Sequence, residues 1–275
     1  MKHTRDTVAG EPAQSAVSEL SPLARPANLK PVQAQSPGAN GPGLSGAAAE
    51  QAIASPRLVT LPRPHVPGGL KVSTLSYLNM HEFGDLLSKS MMVRKQVFID
   101  TLEWDLPNVD NMEFDQYDTP MCRWVIVHEF GEVLAGIRLV PTTAVCGTYS
   151  YMLRDGQLGL LKDFPTDIMF FEAPVTENIW EASRLFIAED VPAQHRSQVQ
   201  SLLMREMILA AADEGAKHVI GIVPAVWSRW LRRLGLYAVP IGPRFTIGRI
   251  SSQAALFSVA DQLDWALGKT DSPAS

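Results

Sequence analysis

Apolar positions change spacing along the chain, and those changes mark out its elements. In HEFGDLLSKSMMVRKQV (81–97), Phe83, Leu86, Leu87, Met91 (or Ser90), Arg94 and Val97 fall near helical spacing, which predicts a helix. RWVIVHEF is a short Val- and Ile-rich run bounded by Gly131 and reads as a buried strand. EVLAGIRLVP alternates, with Val133, Ala135, Ile137 and Leu139 on one side and Leu134, Gly136, Arg138 and Val140 on the other. The two runs meet around EFGE and predict a hairpin. Arg138 therefore stands on a strand among apolar neighbours, a costly place for a charge unless something anionic meets it.

Further on, IWEASRLFIAED predicts a strand and RSQVQSLLMREMILAAADEG a helix, with Val199, Leu202, Leu203, Met207 and Ala210 on one stripe and Gly215 as its stop. HVIGIV predicts another buried strand, AVWSRWLRRLG a short helix ended by Gly235, and RFTIGRI a strand. SSQAALFSVADQLDWALG predicts a final helix capped by Ser. Strands interleaved with helices, plus one hairpin, imply a mixed α/β (α+β) sheet with helices on both faces.

Composition changes this picture at one end. Residues 1–68 lack Phe, Trp and Tyr and hold ten of the 20 prolines, so they cannot bury enough apolar area to offset chain entropy. The expected organisation is a disordered Pro/Ala/Ser/Gly-rich extension over 1–68 and one folded domain over 69–275. Residues 1–70 carry six Lys+Arg against four Asp+Glu, leaving 18 against 25 in the remainder. An acidic folded part argues against nonspecific nucleic-acid binding. No apolar run approaches a membrane span, and the first residues lack the apolar stretch of a secretory signal. The two cysteines, Cys122 and Cys146, have no CxxC or His-rich company, so neither a disulfide framework nor a metal site is expected and a reducing cytoplasm is the simplest home.

Candidate chemistry concentrates in VFIDTLEWDLPNVDNMEFDQYDTP (97–120), where Glu113, Asp115 and Asp118 stand near Phe98, Trp104 and Tyr117. A calcium loop is excluded on spacing, because from Asp110 the third position is Met112 and the required Gly is missing. Alone, these acids would read as a solvated loop. Their company changes that reading. RKQVF (Arg94, Phe98), LEW (Trp104), EFDQYD (Asp115, Asp118), GIRLVPT (Arg138) and WEASR (Glu181, Arg184) follow one another in order.

This series resembles the signature of the LuxI-type acyl-homoserine-lactone synthases, the autoinducer synthases of bacterial quorum sensing. All eight signature positions match, and the likeness runs from about residue 71 to about 250, including RRLGL and GPRFTIG. The resemblance implies a GNAT-like acyltransferase fold. It implies an enzyme that acylates the α-amine of S-adenosylmethionine with an acyl thioester, on acyl carrier protein or coenzyme A. The methionine carboxylate then closes the lactone and expels 5′-methylthioadenosine. S-adenosylmethionine is a substrate, and no cofactor or metal is implied. The implied catalytic set is Arg94, Asp115, Asp118, Arg138, Glu181 and Arg184, with Phe98 and Trp104 packing on the substrate. Glu181 is the expected general base, acting through a water. Arg94 either holds the acids or clamps the substrate carboxylate, and Arg138 and Arg184 either stabilise charge or lock the acids in a structural network.

Two rival readings follow from the same residues. A plain acetyl-CoA enzyme of this fold holds the pyrophosphate on a Gly-rich turn, but QHRSQVQS puts Ser197 and Val199 where the glycines belong. A non-catalytic sensor of S-adenosylmethionine or a thioester would not need the intact charged set. In the family it resembles, members that prefer 3-oxo chains often carry a Thr near the end of the strand before the short helix; here Val223 and Pro224 of GIVPAV offer no hydroxyl, so the resemblance implies unsubstituted chains. Acyl carrier proteins are acidic, so Arg229, Arg232 and Arg233, on one face of a short helix, are the expected docking set, joined by Arg196 or Lys162.

Overall fold

The computed structural model describes residues 60–269 apart from 65, 67, 163, 226, 248 and 249, with the backbone alone for 227–229. Its centre is a seven-stranded sheet in the order β1-β4-β5-β6-β7-β9-β8. The strands are β1 (Leu70–Leu75), β4 (Arg123–Glu129), β5 (Glu132–Pro141), β6 (Ile179–Ile187), β7 (His218–Pro224), β8 (Val239–Ile247) and β9 (Ile250–Ser258). Two short strands, β2 (Asn108–Val109) and β3 (Met112–Glu113), form a separate hairpin in the acidic segment. Every pairing in the large sheet is antiparallel except β6 with β7.

Helices cover both faces. On one side, α3 (Ala193–Asp213) and α5 (Val259–Ala266) bury Val199, Leu203, Met207 and Trp265 against Val125, Ile137, Leu139 and Val219. On the other, α1 (Leu86–Lys95) and α2 (Met152–Gln157) contribute Leu86 and Leu153 to a second core with Trp124, Ile126, Val140 and Ile220. A short α4 (Trp227–Arg233) turns Leu231 into the α3 side.

Three expectations are corrected. The helix over 81–97 is shorter, because Gly84 at φ 58° separates a 3-10 turn (Met80–Phe83) from α1. It then continues as a π-helical turn, Gln96–Thr101, a wider winding that often marks functional positions. The last element is not one long helix. Residues Ile250–Ser258 form β9 between β7 and β8, and only Val259–Ala266 is helical, with Ser258 accepting the N–H of Asp261. Two strand neighbours supply β9 with backbone partners on both sides, which overrides the helix propensity of its Ala and Leu. In β5 the alternation holds from Ala135 onward, but a bulge opposite Val127 and His128 swaps Val133 and Leu134 between the two cores.

The expected disorder of residues 1–68 lies, up to residue 59, outside the described residues. Leu61 and Arg63 lie against α3. Leu61 N donates to Asp213 (2.8 Å), and Arg63 pairs with Glu206 (2.9 Å) and Asp213 (2.6 Å). Two truncations are thus expected to differ. Removing 1–59 should leave the melting temperature within about 1 °C, because a segment without Phe, Trp or Tyr can bury little apolar area. Removing 1–68 should cost about 1 kcal/mol, or ~2–4 °C, through the half-buried Arg63 pairs. Thermal melts of both truncations, alongside the full chain, check this.

Candidate active site

The π-helical turn aims Phe98 inward, and the backbone then bonds Trp104 N to Phe98 O at 2.9 Å. Their rings stack with centroids 5.2 Å apart. Across from them, the β2–β3 hairpin and the turn after it carry Glu113, Asp115 and Asp118, which are buried rather than solvated.

Three arginines meet these three acids. Arg94, from α1, donates through Nε to Glu113 (2.6 Å) and grips Asp118 with both terminal nitrogens (2.9 and 3.0 Å). Arg138, from β5, holds Asp115 (2.5 and 3.2 Å), reaches Asp118 (2.9 Å) and donates to Ser183 Oγ (3.2 Å). Arg184, from β6, contacts Glu113 (3.1 Å) and Asp115 (2.8 Å) and lies over the Phe98 ring. Charges balance one to one, which is what makes so many buried ions tolerable. Burial pushes the Asp115 and Asp118 carboxyls up, but the arginines outweigh it and hold both below the usual carboxylate range. The anionic partner that Arg138 requires is thus present. Arg184 sits at φ 53°, unusual for a residue with a side chain, and its two ion pairs and ring contact hold it there.

A cavity of about 870 Å³ opens beside this network. Its lining divides the signature residues. Phe98, Trp104, Asp115 and Arg184 face it, whereas Arg94, Asp118 and Arg138 stand one layer behind. Glu113, which the sequence reading left out of the site, joins Arg94 to Arg184 and is fully buried. Its place two residues before Asp115 was the available signal. The exposed acids Glu103 and Asp105, either side of Trp104, also line the rim.

Glu181, the expected base acting through a water, stands behind the cavity wall rather than in it. It is fully buried, is absent from the cavity lining, and accepts the N–H groups of Met152 (2.9 Å) and Leu153 (2.7 Å) at the start of α2. Burial raises its pKa to about 7, although those two backbone donors and Arg138 pull it down. Met152 itself lines the cavity, so Glu181 holds part of the wall.

The cavity also crosses the sheet. The parallel β6–β7 pairing ends at Ala182–Gly221, beyond which β6 continues only with β5 and β7 only with β9. A Cβ on Gly221 would stand 2.6 Å from Ala182 O, so glycine lets the strands meet just before they part. Through the gap, Ile137, Leu185, Met204, Met207 and Phe257 add an apolar half to the cavity.

The sequence profile of the autoinducer synthase family matches residues 76–264, more than half of the chain, a span that includes the eight signature positions. The chain belongs to the autoinducer synthase family. A relative, the acyl-homoserine-lactone synthase of Acinetobacter nosocomialis, is 33% identical over 182 residues, covering 63% of this chain and 92% of that protein. Among solved structures, TofI in a ternary complex with an inhibitor and MTA is 27% identical, with a TM-score of 0.56 over 73% of this chain and 97% of that one. BjaI, a CoA-dependent acyl-homoserine lactone synthase solved with SAM and isopentyl-CoA, shares the fold at 23% identity, with a TM-score of 0.59 over 75% and 92%. This autoinducer synthase is therefore an enzyme of an acyltransferase family, and its mixed sheet with helices on both faces is the α/β architecture the sequence led us to expect. Among its described residues no helix is long and apolar enough to cross a membrane.

The expected docking set is partly visible. Arg232 and Arg233 are exposed on α4, while the side chain of Arg229 lies outside the described residues. Lys162 is exposed, whereas Arg196 is turned to the carbonyls of Val191 and Glu189. The reason given for unsubstituted acyl chains fails. Val223 and Pro224 do line the cavity, but Ser252, in register with Pro224, brings a hydroxyl to the same place.

Proposed function

We propose that this synthase makes N-acyl-L-homoserine lactone from S-adenosylmethionine and an acyl thioester in the cavity between the acidic segment and the β6–β7 gap. One observation carries the reading: a single cavity joins a charged, aromatic half (Phe98, Trp104, Asp115, Arg184) to an apolar half (Ile137, Leu185, Met204, Met207). The first half suits a sulfonium and an ammonium, and the second suits an acyl chain. In the first step the substrate amine attacks the thioester carbonyl and the thiol leaves. In the second, the methionine carboxylate oxygen bonds the γ-carbon as its bond to sulfur breaks, releasing 5′-methylthioadenosine.

In this reading Asp115 faces the ammonium. It stays ionised because Arg138 and Arg184 hold it so, which makes it an anchor and a poor proton acceptor. Glu181, near neutrality in pKa, takes the amine proton through a water from behind Met152. Arg94, Arg138 and Asp118 keep the anchor in place.

The test gives the purified protein S-adenosylmethionine and a panel of acyl thioesters, with lactone and methylthioadenosine both followed by mass spectrometry. Both products together support the reading. Acylated amine without lactone indicates another N-acyltransferase, and neither product indicates a sensor.

Acyl carrier protein is the proposed donor. At the start of α3 the backbone is ordinary helix, with Val199 fully buried where a Gly-rich phosphate turn would need an open backbone. Reversing Arg229 and Arg233 to Glu should raise the KM for acyl carrier protein at least ~10-fold, mainly through slower association, and flatten its salt dependence. The KM for S-adenosylmethionine should hardly move. Equal damage to both substrates would place docking elsewhere, and full activity with acyl-CoA alone would point to a CoA-dependent synthase.

A further inference from the structure

Asp155 belongs to none of the sequence motifs, yet it is a fully buried acid one residue away from the cavity. It lies on α2, where Oδ1 accepts Ser150 Oγ at 2.6 Å and both oxygens accept Ser150 N (3.2 and 3.0 Å). Its remaining bond comes from the phenol of Tyr117, at 2.9 Å to Oδ2.

Tyr117 is the link to the chemistry. Its side chain lines the cavity, and its N–H donates to Asp115 Oδ1 at 2.9 Å. The Arg138 guanidinium lies over its ring, 5.6 Å from the centroid, and Tyr149 meets it edge-on at 6.3 Å. One residue thus touches the cavity, the carboxylate that faces it, and the arginine that orients that carboxylate. Burial and the Asp155 charge both push the phenol pKa up, so the hydroxyl stays a donor to Asp155. A bond from a neutral phenol to a carboxylate is a strong, directional one, and it fixes where the far end of the Tyr117 side chain lies, which limits swing about χ1.

We propose that Asp155 is a positioning residue for the substrate cation: by holding the Tyr117 phenol, it sets the wall and the Asp115–Arg138 pair that face S-adenosylmethionine. The inference rests on the functional reading above. It distinguishes two buried acids that meet at one short helix, since Glu181, on β6, holds the first N–H groups of α2 whereas Asp155, on α2 itself, holds the Tyr117 phenol.

The experiment compares wild type, Asp155→Asn, Tyr117→Phe and the double variant. For each, calorimetry measures S-adenosylmethionine binding, and kinetics separate the KM values of the two substrates. Both single variants should weaken S-adenosylmethionine binding and raise its KM at least ~10-fold, with the acyl-donor KM within ~2-fold of wild type. The double variant should be no worse than the poorer single one, because both changes remove the same bond. Tyr117→Phe keeps the ring volume and decides the matter alone if Asp155→Asn does not fold. Unchanged binding in Tyr117→Phe, or both KM values rising together with a lower melting temperature, overturns the positioning role. Wild type that fails to bind S-adenosylmethionine overturns the functional reading and this inference with it, a result distinct from normal wild-type binding that the variants leave intact.

Discussion

Arg138→Met is expected to cost about 3–5 kcal/mol of stability and to lower turnover by ~10²–10³-fold. Methionine fills much of the arginine's volume but brings no charge. Asp115 loses both bonds from Arg138, Asp118 loses its 2.9 Å contact, and Ser183 Oγ loses a donor. Three buried carboxylates, Glu113, Asp115 and Asp118, then share Arg94 and Arg184 alone. The sign of the pH effect follows from the shifts. In the wild type both carboxyls titrate below their ordinary 3.8, so their contribution is present above that pH and is lost as pH falls through the lower folded values. In the variant, burial is less opposed and pushes the same groups upward, so the deficit should shrink as the pH is lowered. Urea unfolding at several pH values measures this. Adding Asp115→Asn should recover part of the lost stability but none of the activity. An Arg138→Met protein as stable as wild type would mean that the network contributes no net stability.

Glu181→Gln should lower turnover by about 10²–10⁴-fold with S-adenosylmethionine binding largely retained. The wild-type rate should rise with pH through about 7, where the buried carboxyl ionises, and the variant should lack that limb. Gln keeps one acceptor, but its amide nitrogen must face one of the N–H groups of Met152 and Leu153, so some shift at the start of α2 is expected. A raised KM with the pH limb intact would make Glu181 a holder of the wall and leave the proton to another acceptor. Stability gives a second readout. A carboxyl raised from 4.5 to about 7 on folding binds its proton more tightly in the folded state. Its contribution is full below about 4.5 and is lost as pH rises through about 7, and the variant should be free of that component.

Much of the architecture was legible before the fold was known. β4 and β7 announce themselves as Val- and Ile-rich runs, β5 as an alternating one, and α3 as an apolar stripe of 3.6 spacing, because burial on a face repeats with the period of the element. β9 escaped, since its Ala-rich sequence suits a helix and only the open slot between β7 and β8 makes it a strand. β1 escaped as well: it is an edge strand whose pattern is weak and whose partner β4 is distant in sequence, Leu75 pairing with Trp124 and Leu70 with Glu129. The π-helical turn at Phe98 has no periodic signature of its own.

Residue types and their order along the chain determined the family and the set of charges, because a chemistry of cation, anion and thioester needs particular side chains wherever they finally sit. Their arrangement in depth was decided by tertiary structure alone. Asp115 and Arg184 face the cavity while Asp118 and Arg138 back them, which depends on how the acidic hairpin folds onto β5 and β6. Glu181, the proposed base, holds the backbone of α2 behind Met152, a placement that no spacing in WEASR encodes. Tyr117 and Asp155, 38 positions apart, meet only because α2 packs behind the acidic segment. Sequence spacing specifies which side chains share a face of one element. Which faces meet, and which buried acid faces substrate, depends on long-range packing that local pattern does not encode.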